Sequence, residues 1–212
     1  MFIMAATPEV MGKNRLENLT DGIFAFAMTL LVLGIEVPTD AEAAAQALIN
    51  ANPVDTLLAT LYPDVTHYML AFIIIAAFWV IAHSFSEHIR YVDRKLLWLN
   101  IAKLMFVALI PFSTDLADTY VQFPNAALVF EANIIIIGAL LYLQWAYASS
   151  KHRLINPKLP DSEIRHIKAT ILVLPAIAFV AMCFALAGET WSVMLFTFAP
   201  IIYALPLRKL MG

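Results

Sequence analysis

Charge is scarce in this chain. Only 14% of its 212 residues are Asp, Glu, Lys or Arg, where a soluble domain carries about 25%. Apolar residues reach 62% against the usual level of about 45–50%. A water-soluble fold of this length has too little interior to hide that much apolar surface, so the composition excludes a soluble globular domain and makes lipid the covering medium. Cysteine is scarcer still. Cys183 stands alone, which excludes an intramolecular disulfide and any multi-cysteine metal centre; its apolar surroundings make it a packing residue. No hydrolase elbow, phosphate loop or redox centre is present, so the chain does not read as an enzyme. Its five histidines are scattered; His83 and His88, five apart, do not stack on one helical turn, and no metal site is expected. The opening MFIMAATPEVMGK has no basic stretch, long apolar core or cleavage site of a signal peptide, which leaves the first apolar helix as the insertion signal. No linker, low-complexity tract or internal repeat divides the chain, so residues 1–212 read as a single domain.

What the sequence has in abundance is long apolar runs. A helix rising about 1.5 Å per residue needs about 20 of them to cross a hydrocarbon core of ~30 Å. Six such runs predict six membrane-spanning helices, at about 15–36, 65–87, 96–113, 124–149, 166–187 and 190–207. The fold class is therefore an all-α membrane protein. Pro175, Pro200 and Pro206 fall in the last two spans, where proline kinks are tolerated. The intervening PTDAEAAAQALINANPVDTLLATLYPD is too polar to span. Its alanine-rich middle predicts short surface helices, punctuated by Pro38, Pro53 and Pro63.

Basic residues set the orientation. Lys13 and Arg15 flank the first span. Arg90, Arg94 and Lys95 separate the second from the third, and Lys151, Arg153, Lys158, Arg165 and Lys168 separate the fourth from the fifth. Arg208 and Lys209 follow the sixth. The alternate loops carry only acids: Glu36, Asp40, Glu42, Asp55 and Asp64, then Asp115 and Asp118, then Glu189. Basic loops stay in the cytoplasm, which predicts a multi-pass protein of the cell membrane with both termini inside.

Polar residues within spans are expensive and therefore informative. The first span opens with RLENLTDGIFAFAMTLLVLGIEVP. Arg15, Thr20 and Asp21 cluster at its cytoplasmic end, and because Arg15 and Asp21 are six apart they look to other helices or subunits for partners. An ordinary helix start, capped by Asn18 or Thr20 with Arg15 snorkelling, fits the same residues. His83 near the end of the second span, with Trp98 and Asn100 early in the third, lies at similar depth and completes a candidate polar network; Trp98 as an interfacial anchor is the plainer alternative. Lys103 and Glu131 lie inside the third and fourth spans, where snorkelling toward opposite interfaces is expected.

The segment RLENLTDG resembles the Arg-x-x-x-Phe-Ser-Asp-Gly signature of the transmembrane protein 175 family (domain of unknown function 1211). The block FWVIAHSFSEHIRYVDRKLLWLNIAKLMFVALIPFSTDL is similar to it as well. Leu19 stands where the family's Phe is usual and Thr20 where its Ser is, so the hydroxyl is kept and an aromatic group is lost. The resemblance implies a potassium-permeable channel without a carbonyl-lined filter, and the sequence indeed has no TVGYG-like loop. It implies a homotetramer with the first helices around a central pore, no cofactor, no nucleic-acid partner and no metal beyond transient potassium. Other monovalent cations or protons are further candidates for the permeant ion. Counting from Asp21, the matching gate positions are Phe26, Leu30 and Leu33, with Thr29 as a polar ring.

On an α-helix these four fall within an arc of about 100°, with Leu19 and Gly22 continuing that face. An aliphatic residue is more usual at the position of Phe26, where four phenyl rings would narrow the pore. Since the helix is apolar all round, periodicity alone equally allows this face to meet lipid. A proton-coupled secondary transporter relaying through Asp21, His83 or Glu131, and a membrane scaffold without transport, are the competing functions. The transporter lacks the inverted repeat and paired interrupted helices expected of it.

Overall fold

The computed structural model describes residues 12–35 and 53–204, and all its regular structure there is helical apart from one isolated bridge. Helix α1 runs Lys13–Leu30 and tightens into a 3₁₀ turn over Leu31–Gly34. Helices α2 (Pro53–His88), α3 (Arg94–Ala108), α4 (Ile110–Thr119), α5 (Pro124–Ser149) and α6 (Asp161–Leu186) follow. A 3₁₀ segment, Ser192–Phe198, then leads into the short α7 (Ala199–Ala204). Five stretches are long and apolar enough to cross a membrane: Lys13–Gly34, Leu61–His88, Arg94–Thr119, Pro124–His152 and Asp161–Leu186. The sixth expected span enters the described residues only as the 3₁₀ segment and α7; Pro206, Arg208 and Lys209 lie outside them.

Two proline readings change. Of the loop expected to carry surface helices, residues 36–52 lie outside the described set, and 53–64 are the opening turns of α2 rather than separate elements. Pro63 sits inside that helix. Its ring costs one backbone bond but leaves the helix continuous, a break that membrane helices tolerate. At 36 residues α2 is about 54 Å long, so it projects beyond the apolar layer. The predicted third span is one crossing stretch, Arg94–Thr119, but is made of two helices: α3 and α4 meet at Leu109, two residues before Pro111, which cannot donate to the carbonyl one turn back. The break is stabilised from α5, where Asn133 Nδ2 donates to the Phe106 carbonyl and to Ser113 Oγ, both at 3.2 Å.

α5 is the centre of the bundle. It packs along α6 on one side and along α3 and α4 on the other. Gly138 allows the closest of these contacts: a Cβ there would stand 1.9 Å from Cγ of Pro175 on α6. Trp145 is fully buried, stacked edge-on against Phe85 of α2 and donating to the Ile164 carbonyl of α6 at 3.1 Å. At the basic end the two inter-helix loops are joined by a bridge between Ile89 and Ile155, with Arg90 N donating to the Leu154 carbonyl at 2.8 Å. Asp93 caps α3 by accepting from Leu96 N at 2.8 Å and also accepts from the Tyr147 hydroxyl. At the acidic end His67 of α2 pairs with Asp118 of α4. Cys183, expected to pack, is exposed on the outside of α6.

Candidate functional site

α1 is the least covered of the spans. Only 17% of its most apolar window is buried, against 50% for α5. Its inner side carries Phe24, Ala27 and Leu31, buried against the bundle, and it packs on α3 and α2. Its outer side carries Leu19, Gly22, Ala25, Phe26, Thr29, Val32 and Leu33. Of the four candidate gate residues, Phe26 is 60% and Leu33 73% exposed; Thr29 is exposed and Leu30 half-buried. Past Leu30 the 3₁₀ turn advances about 120° per residue rather than about 100°, so Leu33 swings away from the straight α-helical register assumed from sequence. The Thr29 hydroxyl donates to the Phe26 carbonyl at 2.8 Å. Its proton is thereby turned toward its own helix, and its lone pairs remain free as acceptors.

Behind this face a polar network ties α1 to the bundle. Trp79 Nε1 of α2 donates to Asp21 Oδ1 at 2.9 Å. Asn100 Nδ2 of α3 donates to Thr20 Oγ1 at 3.0 Å, and Thr20 donates to the Leu16 carbonyl at 2.9 Å. His83 stacks on Trp79 with ring centres 5.4 Å apart and lies 3.7 Å from Glu87. The sequence-predicted Thr20, Asp21, His83 and Asn100 thus come together around one cavity of about 440 Å³, which Glu17 and Lys103 also line. Within one chain Arg15 and Trp98 stay outside the bonded set: Arg15 is exposed, and Trp98 precedes Asn100 by two residues, about 200° around α3, and is exposed too. Neither Asn18 nor Thr20 caps α1, because the helix already begins at Lys13.

Sequence reasoning missed three members of the network. Trp79 read as one apolar residue among many. Lys103 was expected to snorkel, but it is 1% exposed, because α3 is sandwiched between α1 and α5. Its Nζ donates to Gln144 Oε1 of α5 at 3.4 Å and lies 6.0 Å from the Phe24 ring centre. Gln144 Nε2 in turn donates to Asn100 Oδ1 at 3.4 Å. Glu131 does not snorkel either. It is fully buried on the central helix α5, beside Ser192, since its face of that helix meets protein rather than lipid. Among the described residues no cluster of three metal-ligating side chains occurs.

Toward the acidic end, Leu30 and Leu33 line a cavity of about 320 Å³ together with Asp64, His67, Asp115 and Asp118. The carboxylates therefore stand beside the acidic end of the exposed α1 face.

Comparison with known proteins places this arrangement. Residues 15–111 match the profile of the family described as endosomal/lysosomal potassium channel TMEM175. A potassium channel of Chamaesiphon minutus is 28% identical over 193 residues, 90% of this chain and 92% of the relative. The crystal structure of a lysosomal potassium-selective channel TMEM175 homolog from the same organism superposes with a TM-score of 0.74 at 26% identity, covering 90% of this chain and 95% of that one. Over residues 15–111 the chain is similar to the TMEM175 family, and it shares the fold of the solved homolog. The mouse endosomal/lysosomal proton channel TMEM175 is 26% identical over 179 residues, which span 82% of this chain and 34% of that relative. The stretch matching the TMEM175 profile runs from Arg15 to Pro111. It holds every candidate gate and network residue read from the sequence, together with Trp79 and Lys103. Gln144 lies beyond it.

Proposed function

We propose that this chain is a potassium-permeable cation channel, passive rather than coupled, in which four copies assemble with α1 around a central axis. One observation carries the reading. α1 is the least covered of the spans, and its uncovered face sets a hydroxyl, Thr29, among Leu19, Phe26, Val32 and Leu33, a polar group that a face turned to lipid does not need. At the basic end its Asp21 and Thr20 are tied to the bundle through Trp79 and Asn100. That is the division of labour expected of a pore helix braced from outside.

The mechanism follows from hydration. A cation in a ring of Leu or Phe loses its water and recovers little, so a narrow apolar ring closes by dewetting. Opening widens the ring enough for a partly hydrated ion. Four Thr29 oxygens, their protons engaged with the Phe26 carbonyls, would replace a few waters and favour a weakly hydrated ion such as potassium. Asp64, Asp115 and Asp118 beside the outer end of α1 raise the local cation concentration. Asp21 and Thr20 support the helix and do not touch the ion. The basic loops face the cytoplasm, the acidic end faces outward, and the protein resides in the cell membrane.

The test is reconstitution. Purified protein should run as a tetramer by light scattering and carry potassium into liposomes down its gradient, with unitary currents in planar bilayers. Saturable flux that requires a counter-ion gradient would overturn the reading. The mouse relative, named a proton channel, favours a second permeant ion. Reversal potentials measured under a pH gradient at equal potassium separate proton from potassium current.

A further inference from the structure

A lysine ammonium has three N–H donors and no acceptor. This gives direction to every bond downstream of Lys103. Its Nζ donates to Gln144 Oε1, which leaves the Gln144 amide nitrogen to donate to Asn100 Oδ1. Asn100 must then present its own nitrogen to Thr20 Oγ1, and Thr20 gives its one hydroxyl proton to the Leu16 carbonyl. Each amide has one oxygen and one NH₂, so once the first link is set the rest have a single consistent orientation. Lys103, Gln144 and Asn100 are all buried, so water can reach the chain of bonds only from the cavity that Lys103 and Asn100 line. Among the described residues no carboxylate lies within ion-pair distance of Lys103.

We infer that Lys103 is a positioning residue for the pore helix: acting through Gln144 and Asn100, it fixes Thr20 and with it the rotation and depth of the basic half of α1. The inference rests on the reading of α1 as the pore helix. Stability alone does not account for such a residue. A buried ammonium without a counter-charge is costly, and an apolar side chain of similar length packs there at least as well. What only the donor supplies is the direction of the chain of bonds. The same ammonium lies over Phe24, so α1 is held at two neighbouring turns. The cavity of about 440 Å³ beside Thr20, Asp21 and Asn100 gives the helix room to shift once the chain of bonds is released.

The test compares Lys103→Met, Gln144→Leu and their double variant with Lys103→Arg and Gln144→Glu. Arginine keeps the donors; glutamate still accepts from Lys103 but has nothing to donate to Asn100. All are built on an Asn18→Cys, Cys183→Ala background, so that labelling of position 18 reports the placement of α1 independently of conduction. Lys103→Met and Gln144→Leu should each raise resting potassium leak in liposomes about tenfold, the change that one ordinary hydrogen bond supports. Both should speed labelling at position 18, and Lys103→Met should do so without lowering the melting temperature. The double variant should do no more than either single one, Lys103→Arg should match the parent, and Gln144→Glu should behave as Gln144→Leu. Additive effects in the double variant, failure of arginine to restore, or a Gln144→Glu protein indistinguishable from the parent would each overturn the inference. Should the parent carry no potassium at all, the pore reading falls and labelling alone decides. Faster labelling in Lys103→Met but not in Lys103→Arg then upholds the positioning role, and equal labelling ends it.

Discussion

Thr29 is the only polar side chain on the outer face of α1 beyond Asp21. Its hydroxyl is already committed to the Phe26 carbonyl, so replacing it with valine removes an outward lone pair while keeping shape. Thr29→Val should fold and assemble normally and lower the preference for potassium over sodium by several-fold up to about tenfold, the scale of one exchanged hydrogen bond. Bi-ionic reversal potentials measure this; an unchanged ratio would remove Thr29 from the ion path. On the proposed pore reading, the neighbouring apolar positions act by exclusion rather than attraction. Leu33→Asn should rewet its ring and raise resting leak, and Phe26→Ala should widen the narrowest ring and reduce selectivity. Met28→Leu, half-buried on another side of the helix, should change little. Equal effects at Met28 and Leu33, measured as flux per tetramer, would mean that this face does not line the path. Leu30 is a poorer probe because it is half-buried and its substitution also disturbs packing.

Among helices the decisive contact is that of α5 with α6. Gly138 has no side chain because the ring of Pro175 occupies the place its Cβ would take. Gly138→Ala should therefore destabilise the folded protein by about 1–3 kcal/mol through overpacking, read as a lower melting temperature in detergent, and Pro175→Ala should recover most of the loss. If the alanine variant melts with the parent, the two helices are not in such close contact. Element existence was legible because each span is a long apolar run, and the fourth, at 124–149, coincides with α5. What was not legible came from prolines and from burial. Pro63 reads as punctuation, yet the helix runs through it. Pro111 lies inside an apolar run and gives no visible sign that α3 ends at Ala108. Thr20, Asp21, His83 and Asn100 were found because polar atoms in an apolar run stand out. Trp79 was missed because its N–H is hidden in an apolar side chain. Lys103 was misplaced because sequence cannot tell a protein-facing lysine from a lipid-facing one.

For the molecule as a whole, the two ends differ in charge, and the fold gives that difference a structural basis. The loop after α2 and the loop after α5 are joined by the Ile89–Ile155 bridge and by Asp93, Tyr147 and Arg153. They must lie on the same side of a membrane whichever side that is. The charge count predicts the side: Arg90 in one loop, with Arg94 and Lys95 opening α3 after it, and Lys151, Arg153 and Lys158 in the other loop are expected to retain both in the cytoplasm. The opposite end has Asp64, Asp115, Asp118 and Glu189 and no lysine or arginine among the described residues. In a Cys183→Ala background, which removes the exposed native thiol, single cysteines at Tyr120 and Thr190 should react with a membrane-impermeant maleimide on intact cells. A cysteine at Lys158 should react only after the cells are opened. Tyr120 follows α4 and Thr190 follows α6, so the two outer sites sample separate loops and should agree. Labelling of Lys158→Cys on intact cells, with Tyr120→Cys and Thr190→Cys protected, would invert the molecule. The acidic cavity beside Leu30 and Leu33 would then serve the cytoplasmic mouth, and the concentration of cations assigned to the outer mouth would act on ions leaving the cell.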